Sequence, residues 1–149
     1  KKGLEVVQPV AKRMERVSGL NGSTIINDTY NANPCSARCA LEVLAKQPGE
    51  KILVIGDMAE LGKDAAYYHQ QLGIEAKKLG VDRLFAIGEL TPLAVEAFGS
   101  HAQHFDRRGE LVAALQCRLK NNTVVLFKGS NKNRLWEIVA AISAANKQE

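Results

Sequence analysis

Lys51-Ile52-Leu53-Val54-Ile55-Gly56-Asp57-Met58-Ala59-Glu60-Leu61-Gly62 (KILVIGDMAELG) decides the fold of this 149-residue chain. Its opening residues, 51–55, form an apolar run rich in β-branched side chains and cut off by Gly56. A short run without polar alternation fits a strand covered on both faces, as in a parallel sheet. The polar stretch 57–64 then reads as a loop at the strand's carboxyl end, and residues 65–79 as a helix stopped by Gly80. A strand covered on both faces needs partners at its edges and helices above and below, which the rest of the chain must supply.

Working outward, the same alternation recurs. Residues 83–87 are predicted as the next strand, Thr91-Pro92 opens a short helix closed by Gly99, and residues 102–105 make a weak, short strand. Asp106 suits the cap of a helix reaching Leu119, residues 123–127 (TVVLF) form the last strong strand, and residues 134–144 the last helix. Upstream, residues 24–27 read as a strand paired with residues 13–17 across the Gly19-Leu20-Asn21-Gly22 turn. Asn33-Pro34 opens a helix with Asn33 as N-cap, and Pro48-Gly49 ends it. Strand and helix in strict alternation imply an α/β fold: a doubly wound, mostly parallel sheet with helices on both faces. No repeat, low-complexity stretch or linker interrupts the pattern, so residues 1–149 are expected to form a single domain.

Composition narrows the class. Apolar residues make up 46% of the chain, enough for a core without metal or disulfide. No apolar run reaches the roughly 18 residues of a transmembrane helix, and no secretory leader opens the chain, so no membrane span is expected. The start at Lys1-Lys2-Gly3, without Met, suggests a piece of something longer. Cys35, Cys39 and Cys117 are odd in number and lack CxxC spacing, which favours a reducing compartment and buried thiols. The net charge of +4 is spread along the chain with few aromatic residues between the basic ones, which argues against a nucleic-acid partner.

In an open parallel sheet ligands gather at the carboxyl ends of the strands. The residues there are Asp28, Thr29, Tyr30, Asn31, Ala32 and Asn33 after the first parallel strand, and Gly56, Asp57 and Glu60 after the second. Gly88 and Glu89 follow the third, Asp106 the fourth, and Lys128-Gly129-Ser130 the last. Each has an ordinary reading beside the functional one: Asp28 can cap a turn, Asn31 and Asn33 can satisfy loop amides, and Glu60 can be a solvated acid. Lys128-Gly129-Ser130 ahead of a helix suits an anion. His69 either packs inside its helix or faces the rim. His101 and His104 flank a short strand without other ligands in reach, so no metal site is expected. Neither GxxxxGK[ST] nor GxGxxG occurs, and no spacing singles out a nucleophile. A nucleotide triphosphate bound here needs its phosphate grip from another domain.

Three segments together resemble the Mur ligase family: Asn27-Asp28-Thr29-Tyr30-Asn31-Ala32-Asn33-Pro34, Gly56-Asp57-Met58-Ala59-Glu60-Leu61-Gly62 followed by His69, and Lys128-Gly129-Ser130. Their order and spacing cover residues 13–142, and the first two are similar to the signatures of the family branch that adds D-alanyl-D-alanine. The resemblance implies the third domain of a bacterial, cytoplasmic enzyme, inactive in isolation, whose own N-terminal and central domains are its partners. In that family ATP, with Mg2+ held mainly by the central domain, phosphorylates the terminal carboxylate of UDP-N-acetylmuramoyl-tripeptide. The amine of D-Ala-D-Ala then attacks the acyl phosphate. Carried onto this sequence, Arg13 (with Arg16 as the alternative), Asp28, Tyr30, Asn31 and Asn33 fall on the nucleotide side. Asp57, Glu60, His69, Lys128 and Ser130 fall on the side of the incoming substrate. The chain departs from the pattern at Asn131, where the family often has Arg, with Arg134 one turn on. Two rivals stay open: a sibling ligase of the muramoyl-peptide or folylpolyglutamate type, and a stand-alone doubly wound binding module.

Overall fold

The computed structural model describes residues 13–30 and 32–144. Six strands form one sheet: β1 (Glu15–Ser18), β2 (Thr24–Asp28), β3 (Glu50–Ile55), β4 (Arg83–Ile87), β5 (Ala102–Phe105) and β6 (Thr123–Lys128). The helices are α1 (Pro34–Ala45), α2 (Ala65–Lys78), α3 (Thr91–Phe98), α4 (Arg108–Gln116) and α5 (Trp136–Ile142). Across the sheet the order is β1-β2-β6-β3-β4-β5, with every pair parallel except the edge pair β1–β2.

The period-2 alternation of the central strands divides two apolar layers. Ile26, Leu53, Ile55, Leu84, Ala86, Val124 and Leu126 meet α1, α2 and α3 through Leu41, Leu44, Leu72, Ala76, Ala94 and Phe98. Ile25, Ile52, Val54, Phe85, Val125 and Phe127 meet α4 and α5 through Leu111, Leu115, Ile138 and Ile142. Each fully buried aliphatic or aromatic side chain contributes about 1.5–3 kcal/mol of transfer free energy. Where α2 crosses α3, a Cβ on Gly73 would lie 2.2 Å from the Ala94 carbonyl oxygen, so only glycine permits that approach.

The topology also sets the site. The chain leaves β2 and β3 for helices on one face and leaves β6, between them, for α5 on the other. Carboxyl ends of adjacent strands whose connections part to opposite faces open a crevice, the usual ligand position in such sheets.

Most predicted elements stand within a residue or two of their expected bounds, with three differences. Asp106 does not cap α4, which starts at Arg108 with Arg107 in the cap position and no side-chain cap bond, and which ends at Gln116, three residues short of the expected Leu119; Asp106 lies 3.8 Å from the His104 ring instead. The last helix starts at Trp136, because Arg134 takes a left-handed conformation (φ 56°) closing a 3-10 turn, Asn131–Asn133. The three cysteines are exposed rather than buried.

Candidate functional site

Asp28 and Lys128 end adjacent strands in register, so their side chains emerge together at the rim. The Lys128 ammonium donates to Asp28 Oδ2 at 2.8 Å, and Asp28 Oδ1 accepts the Met14 amide at 3.1 Å. Both side chains are buried, 5% exposed for Lys128 and 9% for Asp28. Removal of two charges from water is tolerated because each satisfies the other and a backbone amide adds a further bond. A hollow of about 390 Å³ opens over this pair, walled by Arg13, Met14, Asn33, Ser36 and Cys39. Arg13 lies over the Tyr30 ring, 4.1 Å from its centroid. Arg16 is elsewhere: its guanidinium donates to Gln47 Oε1 at 3.3 Å. Asn31 lies outside the described residues. Asn33 is the N-cap of α1, its Oδ1 accepting the Ser36 amide at 2.8 Å while Ser36 Oγ accepts the Asn33 amide at 3.1 Å, so the expected cap is formed at the pocket wall.

The loop after β3 is held at two successive residues. The Asp57 carboxylate accepts the amides of Glu89 (2.9 Å), Leu90 (2.9 Å) and Thr91 (3.2 Å) at the start of α3. Helix amides favour a negative charge there, and Gly88 is needed because a Cβ on it would come 2.5 Å from Asp57 Oδ1. His69 is fully buried; Nε2 accepts the Met58 amide at 3.0 Å while Nδ1 sits 2.7 Å from the Ala65 carbonyl. An acceptor at Nε2 and a carbonyl at Nδ1 fix the Nδ1–H tautomer. Of the two readings of His69, the structure has the packed one: both ring nitrogens are engaged inside, and the residue reaches the rim through the Met58 backbone. Beyond this double clamp, Glu60 is exposed and left-handed (φ 60°), a conformation costing a non-glycine residue roughly 1–2 kcal/mol.

Ser130 is 4% exposed, and its amide (2.8 Å) and hydroxyl (3.2 Å) both donate to Asn133 Oδ1. The Asn133 side chain fills the space that Gly56 and Gly129 leave open, since a Cβ on either would fall within 2.7 Å of its Oδ1. Gly56 donates to the Lys128 carbonyl at 3.0 Å and Ser130 to the Asp57 carbonyl at 3.3 Å. Arg134 turns to Glu137 on the surface rather than to the rim. Residues 28–30 with 32–33, 56–62 and 128–130, far apart in sequence, thus form one connected rim. Sequence reasoning missed Lys132, which borders the rim, and Asn133, which carries no signal beyond its place three residues after Ser130.

Among the described residues no group of three or more His, Cys, Asp or Glu comes together as a metal site, and no helix is long and apolar enough to cross a membrane. His104 Nε2 sits 2.7 Å from the Gly88 carbonyl, and His101 is exposed.

Residues 12–131 match the family model for the Mur ligase, glutamate ligase domain. Over 144 residues the chain is 33% identical to the UDP-N-acetylmuramoyl-tripeptide--D-alanyl-D-alanine ligase of Escherichia coli, covering 95% of this chain and 32% of that protein. Its Bacillus subtilis counterpart is 32% identical over 93% of this chain and 32% of its own length. The chain therefore spans about a third of the length of the curated relatives it matches. The crystal structure of MurF from Acinetobacter baumannii superposes with a TM-score of 0.82 at 32% identity, covering 93% of this chain and 31% of that one. The MurF ligase from Thermotoga maritima in complex with ADP gives 0.79 at 28% identity, over 91% and 31%. A folylpolyglutamate synthase/dihydrofolate synthase from Yersinia pestis, 18% identical, shares the fold at 0.65. With its fold, its three joined signature segments and the family match all in agreement, the chain belongs to the Mur ligase family.

Proposed function

We propose that this chain is the C-terminal domain of a three-domain, ATP-dependent ligase that joins D-Ala-D-Ala to UDP-N-acetylmuramoyl-tripeptide in the bacterial cytoplasm. The observation that carries the reading is the direct joining of the three signature segments into one rim, through the Asp28–Lys128 pair and the Gly56–Lys128 and Ser130–Asp57 backbone bonds. The names of the Escherichia coli and Bacillus subtilis relatives support the substrates, and the match to a third of their length supports further domains in the parent protein.

On this reading the nucleotide lies over Asp28. Its carboxylate has lone pairs beyond those used by Lys128 and Met14, and these can accept from ribose hydroxyls. Arg13, held on Tyr30, Asn31 and Asn33 complete that side, and Lys128 keeps two N–H groups beyond the one given to Asp28. The segment from Asp57 to Gly62, with Ser130, faces the incoming amine, and His69 serves it from beneath. ATP transfers its terminal phosphoryl group to the tripeptide carboxylate, releasing ADP. The dipeptide amine attacks the acyl phosphate, the amide forms, phosphate leaves and the amine loses its proton. Mg2+ and the phosphate grip are assigned to the central domain of the parent. The contribution of this domain is to position the reactants and exclude water on closure.

The test uses the full-length parent with ATP, Mg2+ and UDP-N-acetylmuramoyl-tripeptide, following ADP release with and without D-Ala-D-Ala. Release dependent on the dipeptide is expected. Turnover with a single amino acid instead would move the protein to a sibling ligase, and absence of turnover with every amine would leave only the fold.

A further inference from the structure

Two open hollows, of about 570 and 480 Å³, adjoin at the rim and share Ala59, Glu60, Leu61, Ser130 and Lys132 in their walls. The charged residues along them are Asp57, Glu60, Glu89 and Lys132. Asp57 is engaged by three amides at the start of α3. Glu89 borders only the larger hollow. Glu60 and Lys132 are the charged residues common to both, and Lys132 is the one cation lining either among the described residues. Lys128 is close in sequence, but it is buried, its charge is paired with Asp28, and it lines neither hollow.

Neither Glu60 nor Lys132 makes an ion pair among the described residues, and both are exposed. Opposite unpaired charges facing one cavity suit a ligand carrying both an ammonium and a carboxylate. We propose that Glu60 and Lys132 are the recognition pair for the two ends of the zwitterionic amine substrate, Glu60 accepting from its ammonium and Lys132 donating to its terminal carboxylate. The assignment rests on the ligase reading above and deepens it. Asp57 and His69 are positioning residues: they clamp residues 57 and 58, from which the chain rises to Glu60 in its left-handed conformation. Gly62, itself at φ 63°, closes the turn. Lys132 rides on the 3-10 turn that Asn133 ties to Ser130, so both charges stand on supported backbone.

The experiment compares D-Ala-D-Ala with D-Ala-D-Ala C-terminal amide, which keeps the ammonium and lacks the carboxylate, in ADP-release assays of the full-length enzyme. Lys132→Ala is expected to raise KM for the free dipeptide about 10- to 100-fold, the loss of one charge-assisted hydrogen bond. KM for ATP and the melting temperature stay at wild-type values, and Lys132→Arg recovers most of the affinity. With the amide, wild type and Lys132→Ala have the same KM. Glu60→Gln raises KM for dipeptide and amide alike. An unchanged KM for the free dipeptide in Lys132→Ala, or an equal rise for dipeptide and amide, overturns the pair while leaving the ligase reading intact. A wild-type enzyme whose ADP release ignores the dipeptide overturns both.

Discussion

Removing the Lys128 charge should cost far more than losing a surface ion pair, and removing both charges should cost less than removing one. Lys128→Met keeps most of the apolar stem but strands the Asp28 carboxylate, 9% exposed, with the Met14 amide as its remaining hydrogen-bond donor among those described. Breaking one side of a buried pair typically costs about 3–5 kcal/mol, against about 0–1 for an exposed pair. At this chain length that corresponds to a fall in melting temperature of roughly 6–20 °C. Asp28→Asn leaves an unpaired buried ammonium and should fall in the same range. The double variant Asp28→Asn/Lys128→Met leaves neither charge, and the introduced carboxamide oxygen can still accept from the Met14 amide. It should be more stable than either single variant, which requires a coupling larger than the larger single cost, about 3–5 kcal/mol or more. Urea unfolding of all four proteins, read as midpoint shifts at constant slope, measures the cycle. Single variants costing under about 1 kcal/mol, or strictly additive costs, would refute the claim that the pair is desolvated.

Asp57→Ala removes the acceptor for three amides of α3 and should destabilise by about 1.5–3 kcal/mol, with faster hydrogen exchange at Glu89, Leu90 and Thr91; unchanged exchange there would contradict the capping role. Glu60→Gly relieves a left-handed non-glycine residue and should raise stability by up to about 1 kcal/mol while weakening dipeptide binding in the parent enzyme. A stability loss above that size would mean that the Glu60 side chain holds the loop. Gly73→Ala drives a Cβ toward the Ala94 carbonyl and should cost about 1–3 kcal/mol or more in thermal melts, and a neutral result would show that α2 and α3 can part freely.

The elements legible in the sequence are those whose signal is local. The KILVI run, Gly80 and Gly99 behind their helices, and Asn33-Pro34 ahead of α1 each carry their reason within a few residues. Structure and expectation part where tertiary contacts override local preference. Arg134 is a good helix former, yet the 3-10 turn built by Ser130 and Asn133 makes it a left-handed hinge, and α5 starts two residues later. Asp106 has the chemistry of a cap but not the position. The exposure of Cys35 and Cys39 follows from the narrow stripe of α1 that faces the sheet, limited to Ala37, Ala40, Leu41 and Leu44. The candidate site is visible in the sequence as a set of segments but not as a set of roles. No spacing rule links Asp28 to a lysine 100 positions away, and none separates an Asp57 engaged by three amides from a Glu60 without an ion pair among the described residues. Lys132 looks like any solvated lysine until the hollow beside it is seen.

The placement of β6 has a consequence for how the domain comes into being. It is the last strand of the sheet in chain order, yet it lies between β2 and β3, every residue of it buried. During synthesis from the N-terminus, β2 and β3 wait with facing edges unpaired until residues 123–128 have cleared the ribosome. Pairing across such sequence separations makes folding slow, and waiting strand edges invite the wrong neighbour. A nascent chain stopped before Thr123 lacks the strand that joins β2 to β3 and has no Lys128 for Asp28. Completion of the fold and completion of the site are therefore one event, and a chaperone that shields the β2 and β3 edges would protect both.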